Sequence, residues 1–281
     1  MTTATVAGGA THEAVGAPLL EVSGLTLAFG GLVCLDKVGF SQNVGEVLAV
    51  IGPNGAGKTS LFNCLTGVYE PQEGEITFTG FDGTPKSVIG KPPFRVNRLG
   101  IARTFQNIRL FPALSALENV MIGVESRQHH GPIGAMLRDP RTRRELKESE
   151  RSALETLEFV GLRERSNEAA SGLPYGAQRR LEIARALATG PRLLLLDEPA
   201  AGTNPVEKDA LQQLIRDITA TGVTVLLIEH DMRLVMSVAD RVVVLNFGKV
   251  IAAGQPSEVQ RDPAVIEAYL GAPAAEDGGE A

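Results

Sequence analysis

The sequence predicts an α/β protein: a three-layer core around a largely parallel sheet, an N-terminal antiparallel β part, and a helical subdomain inserted partway along the chain. Three observations predict it. Short apolar runs of strand length alternate with helical segments before about residue 92 and again after Pro174. From Leu19 to Phe40 apolar and polar residues mostly alternate, as half-buried strands require. The stretch between them is rich in Arg and Glu and carries few strand signals.

The elements follow in order. Val22, Leu25, Leu27 and Phe29, then Val33, Leu35, Val38 and Phe40, mark two strands with a turn at Gly30-Gly31. Val47–Ile51 reads as a buried strand, followed by a Gly-rich loop, a helix from about Lys58 to Thr66, and a strand at Glu75–Thr79. A helical lobe is expected over about residues 92–170. Within it, Arg141 to Leu162 reads as a long helix, with Leu146, Ala153, Leu157 and Val160 on one face. Arg143, Arg144, Glu148, Arg151 and Glu155 face away, as a solvated surface or a partner contact. Then come a helix around Arg179 to Ala188, a strand at Leu193–Leu196, a helix at Pro205–Thr219 and a strand at Val223–Ile228. A short helix, strands at Val242–Leu245 and Val250–Ala252, and a short helix ending near Tyr269 complete the pattern. No internal repeat is present, so one domain is expected over 19–271, with disordered tails at 1–18 and 272–281.

Composition excludes several classes. Hydrophobic residues at 43% and charged residues at 21% are an ordinary globular balance. A net charge of -6 disfavours a nucleic-acid partner, which calls for a basic face. Cys34 and Cys64 are too isolated for a disulfide framework or zinc site, and their apolar neighbours predict buried thiols. No apolar run approaches the roughly 18 residues of a spanning helix. The first residues lack the basic and apolar segments of a signal peptide.

Two motifs carry chemistry. Gly52, Pro53, Asn54, Gly55, Ala56, Gly57, Lys58, Thr59 and Ser60 contain the P-loop pattern G-x-x-x-x-G-K-[ST], between a strand and a helix as the motif requires. Its backbone N–H groups and helix N-terminus face phosphates, Lys58 reaches the β- and γ-phosphates, and the Thr59 hydroxyl suits Mg²⁺. The second is the apolar strand Leu193–Leu196 ending in Asp197 and Glu198. Asp197 is expected at the Mg²⁺ site opposite the loop, and Glu198 as the base for an attacking water.

With these motifs in this order, the chain resembles the ABC ATPase family, and the resemblance covers nearly all of it. It implies a P-loop NTPase core with the β part and helical subdomain of that family, binding ATP and Mg²⁺. In ARTFQN it implies that Gln106 meets Mg²⁺ and the attacking water. Leu173-Pro-Tyr-Gly-Ala occupies the signature position, so Leu173, Tyr175, Gly176 and Ala177 are expected at a partner's ATP, as is Asn204 of the D-loop. His230 matches the switch histidine, and Phe29 the aromatic that stacks on adenine. The signature departs from the usual L-S-G-G-Q at Pro174, Tyr175 and Ala177, and Asn204 stands where many D-loops carry aspartate.

Longer stretches, such as FGGLVCLDKVGF (29–40), ARTFQNIRLFPALSALENV (102–120) and the ending DPAVIEAYLG (262–271), resemble the LivG-type ATPases of branched-chain amino-acid importers, as does the Arg-rich insert near 127–151. That resemblance implies a peripheral subunit on the cytoplasmic face of the membrane. Its implied partners are a second ABC ATPase subunit, identical or related, two membrane permease subunits and, indirectly, a solute-binding protein. A non-transport ABC ATPase, an exporter ATPase and an importer ATPase for another solute stay as alternatives.

Overall fold

A computed structural model describes residues 18–126 and 140–270. The expected tails, Pro18 aside, fall outside those residues, as do residue 271 and the first part of the Arg-rich insert. Among the described residues, no helix is long and apolar enough to cross a membrane.

Two sheets are stacked. Strands β1 (Leu20–Phe29), β2 (Leu32–Gln42), β4 (Glu73–Thr79) and β5 (Pro85–Ser87) form an antiparallel sheet in the order β2-β1-β4-β5. Its first hairpin turns at Gly30-Gly31 and pairs Phe29 with Leu32, as the alternation predicts. The larger sheet contains β3 (Val47–Ile51), β6 (Ile101–Arg103), β7 (Leu193–Asp197), β8 (Thr224–Ile228), β9 (Arg241–Asn246) and β10 (Lys249–Gly254), in the order β10-β9-β3-β8-β7-β6. It is parallel except for β10, which runs against β9.

The central strands are apolar because both their faces are covered. In β7, Leu193 and Leu195 pack toward the antiparallel sheet and helix α1 (Lys58–Leu65), among Leu48, Phe62 and Phe78. Leu194 and Leu196 point the other way, against helices α5 (Tyr175–Ala188) and α6 (Pro205–Ala220) through Leu181, Ile183 and Ile215. This period of two places the sheet as the middle of three layers. A smaller cluster, including Ile51, Val244 and Val235, packs α7 (Met232–Val238), α8 (Pro256–Val259) and α9 (Pro263–Leu270) against the β3–β9 side.

The helical lobe consists of α3 (Ala116–Glu125), α4 (Pro140–Phe159) and α5. Helix α3 starts where Ser115 and Glu118 form a reciprocal capping box. Four expectations need correction. The lobe does not occupy the chain from residue 92: helix α2 (Pro93–Leu99) buries Val96 in the core, and β6 is the edge strand of the large sheet. Three residues are too few to show a strand period, and the surrounding arginines hide them. On α4 the inward stripe is Ser149, Ala153 and Leu157, an i, i+4, i+8 series, while Leu146 is half-exposed. Ser149 fits there because its hydroxyl donates to the Glu145 carbonyl at 3.0 Å. Helix α5 starts at Tyr175, well before Arg179, directly after Pro174, whose extended ψ of 153° sets the entry. Cys64 is buried, and burial pushes its thiol up to about 12, but Cys34 is only half-buried.

Candidate functional site

The phosphate loop bridges the end of β3 and the start of α1. Gly52 packs so closely under β9 that a Cβ there would lie 2.1 Å from the Leu245 carbonyl oxygen, so no other residue fits. Lys58 lies almost wholly buried and donates to the Gly52 and Pro53 carbonyls at 2.6 and 3.0 Å. Burial pushes its pKa down, against the opposing pull of Glu198 and Asp197. Asn54, Gly55, Ala56, Gly57, Lys58, Thr59 and Ser60 line one cavity of about 390 Å³ with Leu32, Val33, Cys34, Gln106 and Glu198. The loop, Gln106 and Glu198, far apart in sequence, thus share one space. Phe29 is not part of this lining; its half-exposed ring meets Tyr69 edge-on, 5.1 Å between centroids.

Strand β7 delivers the two carboxylates to different surroundings. Asp197 is 3% exposed, and its Oδ2 lies 2.7 Å from Arg103 Nη2. Glu198 follows at the sheet's C-terminal edge with φ +46°, a left-handed backbone that a glutamate adopts only under constraint. The constraint is its own N–H, which donates to the Ile228 carbonyl at 2.9 Å. That geometry turns the side chain to the cavity, where Gln106 Nε2 donates to Glu198 Oε2 at 3.0 Å. His230 Nδ1 lies 3.8 Å from the same oxygen, on a largely exposed ring. The candidate base, the candidate water-positioning amide and the candidate switch histidine converge on one atom.

Two buried residues that hold this arrangement escape sequence reading. Glu229 is fully buried and accepts the Ala200 N–H at 2.8 Å, the His230 N–H at 3.1 Å and the Asp231 N–H at 3.3 Å. It joins the loop after Glu198 to the loop that carries His230. Burial pushes its carboxyl pKa up and the three N–H groups pull it back. Asp231 in turn caps α7 through the Arg233 and Leu234 N–H groups and pairs with Lys208 on α6. The available signal is an acidic residue directly after an apolar strand and before a histidine. Arg103 is the other, and its signal is a lone arginine three residues before Gln106.

The signature residues lie elsewhere: none of Leu173, Tyr175, Gly176 or Ala177 lines the phosphate cavity. Leu173 and Ala177 are buried, and the Tyr175 hydroxyl accepts from Arg179 at 3.2 Å. A Cβ on Gly176 would lie 2.2 Å from Glu207 Oε1, so the glycine makes room for the start of α6. There Asn204 Oδ1 accepts the Glu207 N–H while Glu207 Oε2 accepts the Asn204 N–H, both at 3.0 Å. Asn204 thus fills the capping role for which aspartate is equally suited. A buried pair joins this region to Gln106. Arg179 donates to the Phe105 and Gln106 carbonyls at 2.7 and 2.9 Å, and Glu182 accepts the Phe105 and Arg109 N–H groups at 3.3 and 3.1 Å.

Chemically, the cavity can cradle a polyphosphate on backbone N–H groups and Lys58, with a carboxylate beside it to take a proton from water. Residues 35–201 match the family described as ABC transporter. Residues 249–275 match the one described as branched-chain amino acid ATP-binding cassette transporter. The chain is similar to the high-affinity branched-chain amino acid transport ATP-binding protein BraF of Pseudomonas aeruginosa, 47% identical over 255 residues, covering 90% of this chain and 98% of that protein. Its counterpart LivG of Escherichia coli is 44% identical with the same coverage. Among solved structures, an ATP-binding cassette of an ABC transporter in its ADP conformation superposes with a TM-score of 0.78 at 32% identity, covering 92% of this chain and 100% of that one.

Proposed function

Because this chain belongs to the ABC transporter family, we propose that it is the ATP-hydrolysing motor of an importer for branched-chain amino acids. It works on the cytoplasmic face of the membrane, paired with a second ATPase subunit of the same or a related kind. The pair drives two membrane permease subunits that receive solute from a binding protein. The observation that carries the hydrolytic role is the convergence of Gln106 and His230 on Glu198 Oε2 at the phosphate cavity. The solute class is supported by identity to BraF and LivG along nearly the whole chain, and by the matching segment 249–275.

Each residue has a task in this reading. The loop N–H groups and Lys58 hold the phosphates, and Phe29 stacks on the base. Glu198 takes a proton from the attacking water, while Gln106 and His230 keep that water and the γ-phosphate in line. Thr59, Asp197 and Gln106 are the residues that would hold Mg²⁺. Their hydroxyl, carboxylate and amide oxygens are hard donors, and Gln106 turns its nitrogen to Glu198, leaving its oxygen free for a cation. When bound, Mg²⁺ neutralises charge on the phosphate oxygens. Among the described residues no group of three or more His, Cys, Asp or Glu gathers to cage a metal. That suits an ion completed by phosphates and water. Tyr175 and Asn204 face the partner's ATP above buried Leu173 and Ala177, and Gly176 and the N-terminus of α5 supply backbone N–H groups.

The test is reconstitution. The chain, its partner ATPase, the permeases and the binding protein in liposomes should take up leucine, isoleucine or valine only with ATP. ATP-driven uptake of a different solute would overturn the solute class alone. Failure to co-purify with any permease would overturn the transport role and leave a non-transport ATPase.

A further inference from the structure

We propose that Arg103 is the built-in counter-cation of Asp197: it holds that carboxylate neutralised before metal arrives, so that nucleotide enters the site without Mg²⁺. The inference rests on the assignment of Asp197 to the metal site.

The geometry is that of a dedicated pair. Arg103 Nη2 lies 2.7 Å from Asp197 Oδ2, with the side chains 7% and 4% exposed, so little water screens them. The other end of the guanidinium is anchored on the helix that the phosphate loop opens: Nη1 donates to Asn63 Oδ1 at 2.7 Å. Its Cζ lies 5.4 Å from the Phe62 ring centre and 5.2 Å from that of Phe105, in an aromatic slot that favours a cation. Arg103 Nε is buried without an acceptor. A residue kept for packing alone would be better apolar; charge is what this position supplies.

Lys58 also feels Asp197 and Glu198 through space, but it is not paired with Asp197. Lys58, the other positive group at the loop, is hydrogen-bonded to the Gly52 and Pro53 carbonyls, and among the described residues the ion pair of Asp197 is with Arg103. Without Arg103, the uncompensated charge of buried Asp197, next in sequence to the cavity-lining Glu198, would add to the repulsion of an incoming polyphosphate that brings no metal. With Mg²⁺ the ion supplies the missing charge. Arg103 therefore matters most when metal is absent. It contacts Asp197 and not the phosphates, so it is a positioning residue.

The experiment measures the dissociation constant of ADP for the full chain in EDTA and in excess Mg²⁺, and takes the ratio of the two. Arg103→Gln keeps hydrogen bonding and removes charge; Arg103→Lys keeps charge. The Gln variant should raise the ratio about tenfold, and the Lys variant should stay within about twofold of the parent. In an Asp197→Asn background, Arg103→Gln should no longer change the ratio. Equal ratios in the Gln and Lys variants overturn the proposal. If Arg103→Gln fails to fold, folding restored by adding Asp197→Asn supports it, since the lone buried charge was the fault. Failure of that double variant overturns it, because the residue then fills shape. Asp197→Asn alone separates this from the underlying assignment: if it leaves the Mg²⁺ dependence of ADP binding unchanged, the metal site itself is misplaced.

Discussion

The phosphate loop and the signature region both open helices, and both are proposed to meet phosphate, yet they are built in opposite ways. The loop closes a cavity with residues from its own chain: Gln106 and Glu198 line the same space as Asn54 to Ser60. The signature start at Pro174 to Ala177 meets none of that lining, and its neighbours Glu207 and Asn204 are bound to each other in a capping box. In the proposed mechanism one region holds the chemistry and the other is a surface for a second subunit. The difference teaches where freedom lies: Pro174 is exposed at the start of α5, whereas the Leu245 carbonyl excludes any side chain at Gly52.

The largest expected effect falls on the chemical side. Glu198→Gln keeps the contact with Gln106 but loses the base, so ATP turnover in the assembled complex should fall by roughly 10²–10⁴-fold while ATP still binds. Gel filtration should then show an ATP-dependent pair with the partner ATPase that does not come apart. Turnover near the parent rate, with the partner's own site disabled, would remove Glu198 from the mechanism.

An intermediate effect probes the other region. Gly176→Ala puts a methyl group on Glu207 and opens the capping box that starts α6, a stability cost of about 1 kcal/mol. Nucleotide affinity of the single subunit should be unchanged and turnover of the pair reduced. A drop in single-subunit affinity would mean that the two regions are not separate.

The smallest effect concerns the bridge between them. Burial raises the pKa of Glu182 above the ordinary 4.5 despite Arg179 and Arg185. An acid raised on folding binds its proton more tightly when folded. Its contribution is therefore greatest below 4.5 and is lost as pH climbs through the raised value. Relative to the parent, Glu182→Gln should lose melting temperature most at the acid end of that window and least above it. A difference that does not vary with pH would place the carboxyl outside the bridge.

Much of this was open to sequence reading, for identifiable reasons. Glycines forced by close approach and a strand buried on both faces leave strong local patterns, so the loop, Asp197 and Glu198 are legible. Arg103 and Glu229 are not, because their partners lie far along the chain: Arg103 meets Asn63 and Asp197, and Glu229 meets Ala200. Composition also misled. The arginines around Ile101–Arg103 conceal a core strand, and Leu146 sits half-exposed where Ser149, with its hydroxyl bonded to the preceding turn, takes the inward place.

The left-handed backbone of Glu198 has a consequence for how this position changes over generations. A non-glycine residue held there carries about 1–2 kcal/mol of conformational strain, which glycine would release and which asparagine or aspartate tolerates better than most. Mutation at this codon therefore has an inactive refuge that is more stable than the parent. Glu198→Gly is therefore expected to lose turnover while keeping or raising the melting temperature of the parent. Glutamate at φ +46° thus gives up folding stability for the placement of its carboxylate at the cavity.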